Sequence, residues 1–179
     1  PLSPSAALGA LSACLEERKW FRVGLLPSSA NDRRFSGEVT AGLAKGLELA
    51  EASYKGLVIW SQDGPFSAGA DLQSMMPAFM SGGGKAIAPF EKQLQDFMLS
   101  LRYANVPTVA AMHGLALGGG CELAVHAAKR VAAIESYVGL VEVGVGLIPG
   151  GGGLAYLARR AAEQGEAAKG VSGMAGAEL

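Results

Sequence analysis

Two glycine-rich turns, each holding a glutamate, constrain this chain most: His113-Gly114-Leu115-Ala116-Leu117-Gly118-Gly119-Gly120-Cys121-Glu122-Leu123-Ala124 and Gly139-Leu140-Val141-Glu142-Val143-Gly144-Val145-Gly146-Leu147-Ile148-Pro149-Gly150. Glycine exposes backbone N–H groups, and beside two carboxylates such groups can polarise a carbonyl and move protons. A third segment, Gly64-Pro65-Phe66-Ser67-Ala68-Gly69-Ala70-Asp71-Leu72, follows the apolar run Gly56-Leu57-Val58-Ile59-Trp60 and reads as the loop leaving a buried strand.

The 26 glycines are about twice the average usage. They gather in these turns rather than in a low-complexity tract. With 179 residues, 50% hydrophobic and 17% charged, the chain has the size and balance of one domain with a sizeable core. A net charge of −1 and the lack of a Lys/Arg-rich run leave no footprint for nucleic acid. The two cysteines, Cys14 and Cys121, lie far apart without metal-ligand spacing, which points to a reduced, cytoplasmic chain. No apolar run approaches the roughly 18 residues of a membrane span, and the first residues lack the basic start of a signal peptide.

Along the chain, residues 5–17 have helical composition, and Trp20-Phe21-Arg22-Val23-Gly24-Leu25-Leu26 reads as a strand closed by Pro27. Residues 38–51 place Val39, Leu43, Leu47 and Ala50 at helical spacing, with Ser36 as the cap. A strand over 57–60 follows. A helix is expected over 72–80, breaking into a mobile loop at Ser81-Gly82-Gly83-Gly84. The clearest helix is 89–103, where Phe90, Leu94, Phe97, Met98 and Leu101 share a face. A strand over 107–112, a helix over 119–128 and a strand over 130–134 complete an alternating pattern. That pattern implies an α/β layered fold and is equally compatible with a doubly wound sheet.

In their order and spacing, the three motifs resemble the crotonase (enoyl-CoA hydratase/isomerase) superfamily, from about Trp20 to about Arg160. The wording from Tyr137 to Pro149, followed by four glycines, is most similar to the hydratase module of fused hydratase/3-hydroxyacyl-CoA dehydrogenase proteins. The resemblance implies a crotonase-like superhelix of ββα units, with a linker-like segment over 1–18, the core over 19–162 and a tail over 163–179. The small, polar, turn-rich tail is expected to be the start of a C-terminal helical part that is mostly missing. The family often forms trimers, so a homo-oligomer or an associated dehydrogenase domain is the partner expected.

The resemblance places an oxyanion hole on the backbone N–H groups of Ala70 and Gly119. Glycines entering a helix do leave unpaired amides at its positive end; they could equally serve close packing of strand on helix. The resemblance makes Glu122 and Glu142 the pair that positions a water. Glu122, otherwise readable as a first-turn residue complementing the helix dipole, sits in an apolar setting between Cys121 and Leu123. Glu142 is flanked by Leu140, Val141, Val143 and Val145, so burial among them is expected, a loop carboxylate reaching solvent being the alternative. Phe66, Ala68, Gly69, Asp71 and Leu72 are implied to line the coenzyme A groove, with Asp71 also capping the next helix.

His126, four residues after Glu122, could face it but reads as a packing or surface histidine; His113 is expected to support the glycine turn. Met75, Met76 and Met80 fill core or line an acyl pocket. Gly150-Gly151-Gly152-Gly153-Leu154-Ala155 satisfies a loose dinucleotide pattern, but the preceding Pro149 and the absence of a well-placed ribose-binding acid argue against a dinucleotide fold.

The implied reaction is hydration of trans-2-enoyl-CoA to 3-hydroxyacyl-CoA in fatty-acid β-oxidation, with no metal and no cofactor beyond the coenzyme A of the thioester. An enoyl-CoA isomerase needs only one proton-shuttling carboxylate on the same scaffold. A non-catalytic acyl-CoA-binding module, or an α/β domain whose glycines serve packing alone, are the readings from other classes.

Overall fold

The computed structural model describes residues 20–24, 36–61 and 64–169. Four short strands form one all-parallel sheet: β1 (Phe21–Gly24), β2 (Leu57–Trp60), β3 (Thr108–Met112) and, at the far edge, β5 (Lys129–Ala132). Leu57, Val58 and Ile59 of β2 are buried, as a central parallel strand covered on both faces requires. β3 alternates buried and half-buried residues. A second, two-stranded parallel sheet pairs β4 (Leu115–Leu117) with β6 (Tyr137–Gly139), and Ser67 bridges to Ala116 on its other side.

The order β1-β2-β3-β5 never reverses, whereas a doubly wound sheet places its ligand where the order does reverse. After β2, β3 and β5 the chain visits the small sheet, at Ser67, β4 and β6 respectively. Each turn therefore adds one strand to either sheet beside the last. This is the winding of a ββα superhelix, and the doubly wound alternative falls.

Helix α1 (Gly37–Ser53) starts on Ser36, whose hydroxyl accepts the Val39 N–H at 3.3 Å. It buries Thr40, Leu43, Leu47 and Ala50 against the sheet and its neighbours. The segment Ser81-Gly82-Gly83-Gly84 is not a loop: α2 (Leu72–Gly82) and α3 (Gly84–Arg102) are separated by Gly83 alone. With φ of 59°, Gly83 turns the chain while its N–H closes α2 on the Phe79 carbonyl at 2.7 Å. Leu94, Phe97, Met98 and Leu101 of α3 join the core with Phe66, Leu123 and the sheet residues.

Helix α4 (Gly119–His126) is buried at all eight positions. The last helix, α5 (Gly153–Lys169), runs unbroken through position 162, so residues 163–169 are helical rather than turn-rich. Arg159 and Arg160 both reach Glu163, at 2.7 and 3.0 Å, pairing one helical turn apart. The helix expected over 5–17 lies outside the described residues, as do Leu25 and Leu26 of the first strand and the tail beyond Lys169. No residue of α2 is buried, and Met76, Phe79, Met80, Val131, Ile134, Tyr137, Val143 and Ile148 all stand exposed.

Candidate active site

Three backbone segments converge at the start of α4. β3 leads through His113 into Gly114, which turns at φ 61° so close to Pro65 that a Cβ would lie 3.3 Å from the Pro65 Cα. β4 follows, and then Gly118, at φ 52°, caps α4 without a side-chain hydrogen bond. Its own N–H donates to the Gly139 carbonyl at 2.9 Å, and its carbonyl accepts the first helical bond, from Glu122 N–H. The amides of Gly119, Gly120 and Cys121 thus lead a helix that offers them no internal acceptor.

The Ala68-Gly69-Ala70 turn lies against this helix start, backbone on backbone. Gly69 has φ 96°, and a Cβ there would stand 3.3 Å from the Leu117 carbonyl oxygen. Its N–H donates to Ser67 Oγ at 3.2 Å. Gly120 meets Ser67 as closely, with only 2.6 Å between a would-be Cβ and the Ser67 Cβ. Gly69 and Gly120 therefore do serve packing, and that packing brings the Ala70 and Gly119 segments together.

Glu122, on the first turn of α4, is 2% exposed. Its Oε1 accepts the Gly153 N–H at 2.9 Å. Burial holds its carboxyl above the usual carboxylate range; the Gly153 and Gly151 N–H groups pull the other way, and the negative charges of Glu142 and Glu91 add to the rise. Buried Cys121 beside it has its thiol pushed up to about 11, first by desolvation and then by the charges of Glu122 and Glu142.

Glu142 opens a 3-10 turn (Glu142–Val145) that Gly146 closes at φ 75°. Its Oε1 lies 3.1 Å from where a Gly118 Cβ would be, so the absent side chain of Gly118 makes room for this carboxylate. Its Oε2 is buried without a hydrogen-bond partner among the described residues. The neighbours expected to bury it do not: Val143 is 79% and Val145 63% exposed. Glu142 instead reaches inward to the Gly118 cap, away from the apolar residues beside it in sequence.

The remaining expectations divide. Phe66 lies at 0% exposure in the core, so its side chain faces no groove, a correction that follows from its packing beneath the loop. Asp71 caps α2, accepting the Ser74 N–H at 3.3 Å. Ala68 is exposed, Leu72 half-buried and Gly69 buried beside them. Met75, Met76 and Met80 fill no core. His113 Nε2 bonds the Ser61 carbonyl at 3.0 Å, while His126 is buried with Nδ1 2.7 Å from the Glu122 carbonyl oxygen rather than the carboxylate.

Sequence reasoning missed the glycines at 150–153 as part of the site. A Cβ on Gly151 would come within 2.6 Å of Glu122 Oε2, and one on Gly153 within 2.8 Å of its Cγ. The run is the backbone wall moulded over Glu122. From α3, Glu91 packs against Gly150, and Gln95 donates to the Gly150 carbonyl at 2.7 Å. The signal was the glycine run itself, which needs a reason to forgo side chains at four successive positions. Among the described residues, no cluster of three His, Cys, Asp or Glu could hold a metal, and no helix is long and apolar enough to cross a membrane.

The sequence model of enoyl-CoA hydratase/isomerase matches residues 27–175. A Bacillus subtilis (strain 168) protein described as a probable 3-hydroxyacyl-CoA dehydrogenase is 40% identical over 131 residues, covering 73% of this chain and 17% of the relative. The fatty acid oxidation complex subunit alpha of Colwellia psychrerythraea is 40% identical over 105 residues, 59% of this chain and 14% of that protein. The crystal structure of an enoyl-CoA hydratase from Polaromonas sp. JS666 has a TM-score of 0.73 at 28% identity, covering 79% of this chain and 55% of that one. The chain thus spans about half of that solved relative and less than a fifth of these two larger proteins. With the family's sequence pattern running through most of its length, on a superhelix shared with a solved hydratase, this chain belongs to the enoyl-CoA hydratase/isomerase family of the crotonase superfamily.

Proposed function

We propose that the chain carries a hydratase site that adds water to trans-2-enoyl-CoA, giving the 3-hydroxyacyl-CoA of fatty-acid β-oxidation. The observation that carries this reading is that two carboxylates, twenty residues apart in sequence, both come to the start of α4, where Gly118 caps the helix without a side-chain hydrogen bond. Glu142 lies against Gly118, and its charge is felt by both Glu122 and Cys121. An isomerase needs one such group; a hydratase needs two.

In this reading the thioester carbonyl accepts N–H bonds from Ala70 and Gly119, at the positive end of a buried helix dipole, and C3 becomes electrophilic. Glu122 and Glu142 hold one water. Its oxygen bonds to C3, one of its protons passes to a carboxylate, and a proton reaches C2, so the elements of water add across the double bond. The unpartnered Glu142 Oε2 is an acceptor for that water. Acid–base participation supplies about 10²–10⁴-fold and one oxyanion donor about 10²–10³-fold. The multifunctional relatives favour a setting in which a dehydrogenase consumes the hydroxyacyl product.

The test is loss of enoyl-thioester absorbance with crotonyl-CoA, using the intact natural protein that contains this sequence. Glu122→Gln and Glu142→Gln are each expected to lower kcat by about 10²-fold or more. Hydration indifferent to Glu142→Gln, or a protein that binds crotonyl-CoA without turning it over, refutes the two-carboxylate hydratase. Double-bond migration that survives one of the substitutions selects the isomerase.

A further inference from the structure

The imidazole of His126 takes no part in the reaction above, yet it sits at the centre of a closed circuit of contacts around Glu122. It is 6% exposed, at the last position of α4. Its Nδ1 lies 2.7 Å from the Glu122 carbonyl oxygen. A carbonyl can only accept, so Nδ1 carries the proton. Burial holds the imidazole below its ordinary pKa, with the nearby Arg102 charge acting in the same direction and the Glu122 carbonyl opposing. Burial thus favours the neutral ring, in which Nε2 is the bare nitrogen.

The opposite edge of the ring faces the glycine wall. A Cβ on Gly152 would stand 3.5 Å from Nε2 and 3.6 Å from Cε1, and Gly152 has φ 97°, a conformation that side chains rarely adopt. Tyr156 packs beside the imidazole with ring centroids 5.7 Å apart, and the Arg102 guanidinium lies 4.5 Å from the centre of the same Tyr156 ring. Tyr156 N–H in turn donates to the Gly152 carbonyl at 3.1 Å. The next residue, Gly153, donates its N–H to Glu122 Oε1. The path from the Glu122 backbone through His126, the Tyr156 ring and Gly152 to Gly153 thus returns to the carboxylate of the residue where it began.

We propose that His126 is a positioning residue for Glu122, tying that residue's backbone to the glycine segment that grips its carboxylate. The carboxylate is anchored to a loop from another part of the chain, and such a loop holds a side chain only as firmly as it is itself held. The kinetic consequence rests on the hydratase reading; the structural consequence does not.

The test is residue-resolved amide exchange at Gly153 in the full chain, with the amides of Leu57–Trp60 as the measure of an intact core. His126→Phe keeps a ring and removes the donor. His126→Asn keeps a donor near the Nδ1 position and removes the ring. Each is expected to speed Gly153 exchange by about tenfold or more while the β2 amides are unchanged. In a protein that hydrates crotonyl-CoA, kcat falls by about tenfold with KM within about twofold, because the loss lies in orientation rather than binding. Gly153 exchange that stays within about twofold of the unmodified chain in folded His126→Asn overturns the proposal. If His126→Phe does not fold, His126→Asn decides alone. Inactivity of the unmodified protein refutes the hydratase and leaves the exchange result to judge His126.

Discussion

Gly120→Ala sets two known effects of opposite sign against each other at one atom. Gly120 lies inside α4, where alanine is favoured over glycine by up to about 1 kcal/mol, so propensity alone predicts a stabilised protein. The new Cβ, however, would stand 2.6 Å from the Ser67 Cβ, 3.0 Å from its Oγ and 3.3 Å from its carbonyl oxygen. Carbon atoms rest at about 3.5–4.0 Å, so one side must retreat by about 1 Å. Ser67 cannot do so cheaply: its N–H donates to Leu115 and its carbonyl accepts from Leu117, at 2.9 and 3.0 Å. α4 is no freer, being buried along its whole length.

Overpacking of this kind costs about 1–3 kcal/mol, which offsets the propensity gain of about 1 kcal/mol and leaves a net loss of up to about 2 kcal/mol. Denaturant unfolding followed by far-ultraviolet circular dichroism measures it. Adding Ser67→Gly removes the atom struck, and the double variant is expected to regain about 1 kcal/mol relative to the sum of the singles. Because the clash pushes the Ala70 turn away from the start of α4, hydration of crotonyl-CoA should fall even at temperatures where the variant is fully folded. A Gly120→Ala protein stabilised by about 1 kcal/mol with unchanged activity would refute both the close approach and the role given to it.

The Glu122 carboxyl, raised above its ordinary value of 4.5 in the folded chain, makes stability depend on pH. The folded state then binds more protons than the unfolded state, so this contribution is complete below 4.5 and is lost as pH rises through the raised value. Urea midpoints measured from about pH 4 upward should show that decline, and Glu122→Gln should remove it; an unchanged slope in Glu122→Gln would assign the effect to another group. Phe66→Ala should cost about 3–5 kcal/mol in the same unfolding assay, as expected for a core aromatic. A variant of undiminished stability that binds coenzyme A esters more weakly would return Phe66 to the ligand groove.

Much of the local structure was legible because it is governed by neighbours in sequence. Ser36 announced α1 through a hydroxyl that reaches an amide three residues on. Leu94, Phe97, Met98 and Leu101 announced α3 through a spacing that only a helix turns into a face. The central strands of the large sheet, β2 and β3, were readable as short apolar runs, but β4 and β6 were not. Each is three residues long, β4 lying between two glycines and β6 ending on one, and is recognisable only by pairing with the other across some twenty residues. Ser81-Gly82-Gly83-Gly84 misled because three glycines look like a flexible loop, when one of them suffices to join two helices.

By itself, the sequence determined which residue types this site could use: glycines that clear space for backbone, two carboxylates, and an alternation of strands and helices that commits the chain to α/β layers. Its motif order also carried the family. Only the tertiary structure decided what each residue does with its place. Phe66, read as lining a groove, lies in the core, and Glu142 is turned to the Gly118 cap rather than set among its apolar sequence neighbours, because what packs above and below a loop residue decides which way it faces. The glycines at 150–153 acquired a purpose only when the fold laid them over Glu122, and His126 only when it was found between the two. Contacts of this range carry no local sequence signature, because neither partner's propensity depends on the other until the chain has closed around both.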